Sequence, residues 1–335
     1  MQTIESLDDL AVEELDRIYQ TLIRRFGVGE RGNIRDIGFG TAEDDGVGDG
    51  NRRGGVIFYV KRKCTPRAQR DRIPKSLEVR LKRGNHFVLV RLPTDVVVLE
   101  KKSDLVLTGR AINHLSRPQS VATASAAFVW RLSGEHFFRW GVITVGHLFW
   151  GRSAVPETTP QVSVLVDGKQ LTGNLLLRTR PHQGADIALV QVDRDQLKHA
   201  LGVNPTATAK PIRSITDLKD DRGRAGASKP RSSAIGFRVL QYFPQFRSVP
   251  QIGTLFHILK VESRTINAFK KGRSGSLWNI TRQCACHQIF GWEVGGFKQG
   301  GGQSLHFALR WLQTELAKRY SVPKSSMTIR IVHYL

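Results

Sequence analysis

Three short segments constrain this chain more than any other feature of it. They are Thr144-Val145-Gly146-His147 at the end of an apolar run, Ala185-Asp186-Ile187-Ala188-Leu189 opening another, and Gly272-Arg273-Ser274-Gly275-Ser276 between two strand-like runs. Each alone is weak, because a histidine after a strand is more often structural and Gly-x-Ser-Gly is common in loops. Together they supply a hydroxyl, an imidazole and a carboxylate. A serine hydroxyl is a poor nucleophile at neutral pH and needs a neighbouring imidazole to take its proton. The imidazole needs a buried carboxylate to hold its tautomer and to stabilise the imidazolium that forms. A developing oxyanion needs fixed N–H donors, and glycines beside the serine let the backbone make that turn. His147 and Asp186 lie 39 positions apart and Ser274 a further 88 on, so the first two fall in one group of strands and the serine in the next.

Those groups follow from the periodicity. Residues 1–105 read as a small α/β domain. Ser6 is placed to cap a helix, Leu15, Ile18, Leu22 and Phe26 recur at helical spacing, and Gly27 stops it. Strand-like runs follow at 37–42, 56–61, 77–82, 87–92 and 96–99. From about 118 the pattern changes to short strands and tight turns, with a hairpin predicted at Asp167-Gly168. Residues 213–233 are polar and mixed in charge and read as a linker. A second strand group covers about 233–302, a helix capped by Ser304 follows over about 303–318 with Leu305, Leu309, Leu312 and Leu316 on one stripe, and 328–332 reads as a last strand. The prediction is a mainly β protein in which two small barrels, about 118–200 and 233–302, pack side by side ahead of the C-terminal helix.

Charge and cysteine content bound the setting. There are 51 Lys+Arg against 29 Asp+Glu, a net charge of +22, yet 40% of the residues are hydrophobic, enough for a packed core. Such a field attracts polyanions or acidic proteins without identifying either. The densest stretch, 61–83, holds Lys61, Arg62, Lys63, Arg67, Arg70, Arg72, Lys75, Arg80, Lys82 and Arg83 against Asp71 and Glu78. It contains no aromatics to stack on bases, so nucleic acid as a partner has no motif behind it and a solvated basic face is favoured. The three cysteines, Cys64, Cys284 and Cys286, are not a disulfide framework and fit a reducing compartment. Cys284-x-Cys286-His287 lacks the second ligand pair of a zinc site, so no metal is expected. The acidic N-terminal segment does not read as a signal peptide, and no run approaches membrane-spanning length, which predicts a cytoplasmic location and no membrane partner.

The three segments resemble those of the trypsin-like (chymotrypsin-fold) serine proteases, over roughly 118–317. The family carries Thr-Ala-Ala-His-like, Asp-Ile-Ala-Leu-like and Gly-Asp-Ser-Gly-Gly-like segments in this order. The resemblance implies the chymotrypsin-like pair of six-stranded barrels and a serine endopeptidase that needs no cofactor. In it His147 is the base, Asp186 its orienting carboxylate and Ser274 the nucleophile. The N–H groups of Gly272 and Ser274 would form the oxyanion hole. Phe290-Gly291-Trp292 would pair with the substrate backbone, and Ala268 would lie near the floor of the primary specificity pocket. The strands ahead of residue 118 resemble the extra N-terminal domain of some bacterial intracellular trypsin-like peptidases. Three departures stand out: Arg273 where the family has Asp, Ser276 where it has a second Gly, and Gly146 where it has Ala. With Arg273, and with no Ile-Val-Gly-Gly-like start near 118, activation by a newly cut N-terminus does not fit. The partner implied is a protein or peptide substrate. A second reading keeps the fold but makes it an inactive basic binding module for nucleic acid or acidic protein. A third lets residues 1–105 dock a partner that licenses the protease.

Overall fold

The structure, a computed structural model, describes residues 2–28, 32–40, 55–61, 73–98, 112–114, 117–122, 124–149, 161–166, 169–180, 182–201, 222–225, 235–249, 253–263, 269, 274–280, 284–294 and 297–334. Outside these lie the loop after residue 40, most of the basic stretch, Cys64, the Asp167-Gly168 turn, most of the linker, and Ala268, Gly272 and Arg273.

The N-terminal region contains β1 (Thr3–Ile4), α1 (Val12–Phe26), β2 (Ile34–Gly40), β3 (Gly55–Val60), β4 (Ser76–Arg83) and β5 (His86–Val98). The helix begins later than predicted. Leu7–Asp9 form a 3-10 turn whose Leu7 is buried, and Ser6 serves it through its carbonyl instead of capping α1. The start of α1 is secured by Glu14, whose Oε2 accepts from Ala11 N at 3.0 Å. Arg83 clamps the same carboxylate through two bonds of 2.7 Å and holds it below the usual carboxylate range. Gly27 ends the helix at φ 60°, as expected. Leu15, Ile18, Tyr19 and Leu22 are buried on one face. Each such side chain stabilises the fold by roughly 1.5–3 kcal/mol. The runs at 87–92 and 96–99 are one strand, β5. It changes partners at Pro93, pairing with β4 and β1 before it and in parallel with β3 after it.

The second region contains β6 (Ile112–His114), β7 (Arg117–Ala122), β8 (Ala126–Leu132), β9 (Arg139–Thr144), β10 (Gln161–Val166), β11 (Lys169–Arg178), β12 (Ala188–Val192) and α2 (Arg194–Leu201). Val166 pairs with Lys169, so β10 and β11 flank a two-residue connection. Sequence periodicity had not indicated α2. Asp193 Oδ1 caps it, accepting from Asp195 N and Gln196 N at 3.0 and 2.9 Å.

The third region contains β13 (Arg222–Ala225), β14 (Ile235–Val249), β15 (Gly253–Ser263), β16 (Leu277–Ile280), β17 (Cys284–Val294), β18 (Phe297–Ser304), α3 (Leu305–Arg319) and β19 (Met327–Tyr334). Its antiparallel pairings run β14–β13–β16–β17–β18–β15 and return to β14, a ring of six neighbours. Two of these strands escaped the sequence reading. β13 lies inside the stretch taken as linker, and β18, Phe-Lys-Gln-Gly-Gly-Gly-Gln-Ser, has no apolar alternation. The β18 glycines make room for aromatics: a methyl on Gly302 would strike the Trp278 ring and one on Gly300 the Phe269 ring. Trp278 is fully buried, with Phe237 and Phe269 at ring distances of 5.4 and 5.6 Å. Ser304 caps α3 as expected, accepting from Phe307 N.

Two sheets result. One runs β19-β8-β9-β12-β11-β10-β6-β7, and among the described residues no pairing joins its ends. The other has eleven strands, because β2 pairs with β14 through Phe39–Tyr242 and Gly40–Gln241 and so joins the N-terminal strands to the ring. The fold is therefore mainly β with a C-terminal helix. Residues 1–105 share both a sheet and a core with the ring: Leu15, Phe39 and Phe58 belong to one apolar cluster with Tyr242, Leu259 and Trp278.

Candidate active site

His147 and Asp186 are brought together by sheet register. β9 and β12 are antiparallel neighbours whose last pair is Thr144–Ala188. Two residues further on, the ladder sets Asp186 opposite Gly146, beside His147. Asp186 Oδ2 lies 2.5 Å from His147 Nδ1, and Oδ1 accepts from His147 N at 2.7 Å. One carboxylate thus fixes both the ring and the backbone of the histidine. Its side chain is fully buried, and that of His147 is 7% exposed. In the tautomer whose Nδ1–H is donated to Asp186, Nε2 is the basic nitrogen of the ring.

Gly146 is where the structure sharpens the sequence reading. A side chain there would overlap the Thr179 hydroxyl and come within 3.0 Å of Ile187 O and 3.1 Å of Asp186 Oδ1. Thr179 occupies the space that an alanine methyl would need. Its Oγ1 accepts from Ile187 N at 3.0 Å and donates to Ile187 O at 3.1 Å, which pins the residue after Asp186.

Ser274 lies in a turn before β16 and is fully buried. Its hydroxyl donates to Ile289 O at 2.9 Å. The turn needs glycine at position 275, which sits at φ 90°. Gly275 O accepts from Ser125 Oγ at 2.6 Å, and Ser125 N donates to Ile143 O at 2.7 Å. This links the serine turn to β9, the strand that leads to His147. Leu277, three residues after the serine, shares an apolar cluster with Ile143, Ala185 and Ile187. Residues flanking the histidine and serine segments therefore share one apolar cluster with the aspartate segment.

Gly291 and Trp292 lie on β17 opposite Gly300 and Gln299. β16 covers β17 only from Cys284 to His287, so on that side Gly291 and Trp292 lie beyond the last ladder pair. Ala268 and Gly272, the expected pocket floor and oxyanion donor, lie outside the described residues, as does Arg273. Cys284 and Cys286 both lie on β17. Among the described residues no group of three or more His, Cys, Asp or Glu is placed to hold a metal, and no helix is long and apolar enough to cross a membrane.

Three polar residues around these segments carried no sequence signal: Thr179, Ser125 and Gln303. Each acts on a main-chain group, and for Ser125 and Gln303 that group is 150 and 117 positions away. No local motif encodes such a contact.

No family model and no curated protein matches the chain. Among solved structures it is similar to the MamO protease domain from Magnetospirillum magneticum in its apo form, with 13% identity and a TM-score of 0.30, covering 56% of this chain and 95% of that one. It is also similar to the HRV-C 3C protein with rupintrivir, with 14% identity and a TM-score of 0.26, covering 54% of this chain and 91% of that one. Both are distant likenesses of shape, and neither bears on which residues act.

Proposed function

We propose that the chain is a serine endopeptidase of the chymotrypsin-like kind, its site set between two barrel-like strand groups. The observation that carries this reading is the buried Asp186 carboxylate on His147, which bonds Nδ1 at 2.5 Å and the backbone N at 2.7 Å. That arrangement leaves Nε2 to act as base. Ser274 Oγ attacks the peptide carbonyl as its proton passes to His147. The imidazolium, stabilised by Asp186, then protonates the leaving amine, and water releases the acyl group by the same route. By the family resemblance, the Gly272 and Ser274 N–H groups would receive the oxyanion, Ala268 would fall near the pocket floor, and Gly291-Trp292 would pair with the substrate backbone. For attack, the Ser274 proton must turn from Ile289 O to His147.

A rival reading, a protease-like basic binding module, draws on the net charge of +22 and on Ser274 being buried with its hydroxyl directed at a main-chain carbonyl. Reaction with a fluorophosphonate probe separates the two. Covalent labelling of the wild type that is lost in Ser274→Ala is the expected result. Absence of labelling, together with salt-sensitive binding to polyanions, would transfer the assignment to the binding module.

A further inference from the structure

The geometry points to Gln303 as the residue that positions Asp186, by tying the aspartate's loop to the opposite strand group. This inference rests on the endopeptidase reading for its kinetic consequence, though not for its geometry. Gln303 is fully buried at the end of β18, where the ladder to β15 stops at the pair Ile258–Gln303. Beyond that pair its side chain takes over from the ladder. Nε2 donates to Phe256 O at 2.8 Å on β15 and to Gly184 O at 2.9 Å in the loop before Asp186. Oε1 accepts from Asp186 N at 3.0 Å. A carboxamide offers two donors and one acceptor group, and all three functions are used here.

The placement is specific. Gly184 and Leu255 form an isolated bridge, and Phe256 N donates to Gly184 O at 2.8 Å, so the carbonyl that accepts from Gln303 also joins the two segments directly. Each segment is bent by a non-glycine residue in the left-handed region, His182 at φ 68° and His257 at φ 55°. Such bends persist where the surroundings over-determine them. Gln303 bonds a carbonyl within two residues of each. Thr179 fixes the residue after Asp186, and Gln303 fixes Asp186 N and the carbonyl two residues before it. The aspartate is therefore held from both sides, and the Gln303 side ties it by hydrogen bonds to the group of strands that carries Ser274.

The test compares wild type, Gln303→Met and Gln303→Asn in the full chain. Met keeps the length and removes every bond; Asn keeps the amide and withdraws it by one methylene. Two readouts are needed: the fluorophosphonate labelling rate resolved into its maximal rate and half-saturating concentration, and the proton NMR resonance of His147 Nδ1–H. Misplacing a reacting group by about 1 Å can cost roughly 10^2-fold in rate. That loss is expected in the maximal labelling rate of both variants, with little change in half-saturation and with the His147 resonance displaced. A residue that merely fills space would lower the melting temperature without moving that resonance. If either variant folds, labels at the wild-type rate and keeps the His147 resonance in place, the inference is overturned. If the wild type does not label, the endopeptidase reading fails by itself. The resonance then decides Gln303 alone: displacement upholds the role and constancy removes it. Should Gln303→Met fail to fold, Gln303→Asn carries the same comparison.

Discussion

The two strand groups deliver their functional residues by different physical means. In the first, His147 and Asp186 extend from adjacent strands, and the β9–β12 register sets them side by side, with Thr179 and Gln303 fixing the Asp186 loop. In the second, Ser274 sits in a turn held by bonds that include its hydroxyl to Ile289 O and Ser125 Oγ to Gly275 O. Register spreads positional control over a whole ladder, whereas a turn concentrates it in a few groups. The difference predicts that loss of one supporting bond leaves the histidine and aspartate on adjacent strands and disturbs only their fine alignment, provided the packing is not overfilled. The serine half is more easily displaced.

The largest effect should come from changing the contact that register delivers. Asp186→Asn keeps the ladder and offers His147 Nδ1 the wrong partner, so kcat should fall about 10^4-fold, as expected when a triad loses the correct tautomer. Hydrolysis or labelling at near wild-type rate would break the comparison at its root. Next, Gly146→Ala overfills the space held by Thr179, at a cost of about 1–3 kcal/mol in denaturant unfolding. Adding Thr179→Ala should recover part of that loss. Strict additivity of the two would show that they are not in contact in the way described. On the serine side, Ser125→Ala strips Gly275 O of its side-chain donor and should cost about 1 kcal/mol, with a disproportionate fall in labelling rate. Equal losses of stability and rate would mean that the turn is held elsewhere.

The smallest effect concerns the seam between the N-terminal region and the ring. Asp16 on α1 is bonded by Tyr242 of β14, and its Oδ1 is buried with no hydrogen-bond partner. Burial, aided by Glu13, raises its carboxyl from 3.8 to about 6. The folded chain therefore holds this proton more tightly than the unfolded chain. The stability contributed by the protonated form is present at low pH and is lost as pH rises from about 4 through about 6. Asp16→Asn should flatten that slope in thermal unfolding across pH 4–8 while leaving labelling by the probe unchanged. An unaltered slope would remove Asp16 from the account.

Much of this was legible in the sequence, for identifiable reasons. Leu15, Ile18 and Leu22 announced α1 because a buried helical face needs that spacing. Ser304 announced α3 because a cap is a local device. The Asp186–His147 contact was foreseeable because both segments abut apolar strands. β18 was not, since a strand of glycines and polar residues has no alternation to read. Its glycines are explained only by the rings of Trp278 and Phe269 above them. β13 was hidden for a related reason: ladder bonds are made by the main chain, and Arg-Gly-Arg-Ala can make them as well as any residues. Gly146 stands out in the sequence only as a departure from alanine; its cause, the Thr179 hydroxyl in the space beside it, is a tertiary contact.

By itself the sequence determined the mainly β character and the order of the strand groups, and it singled out His147, Asp186 and Ser274 as candidates by residue type. Those properties depend on side-chain type and short-range spacing. Tertiary structure alone decided that the N-terminal strands join the ring in one sheet and that the Asp186 loop is tied to the opposite strand group through Gln303. The reason is physical: pairing between strands and side-chain bonds to distant carbonyls are set by which backbones the packed core brings within reach. A main-chain group accepts the same bond whatever residue carries it.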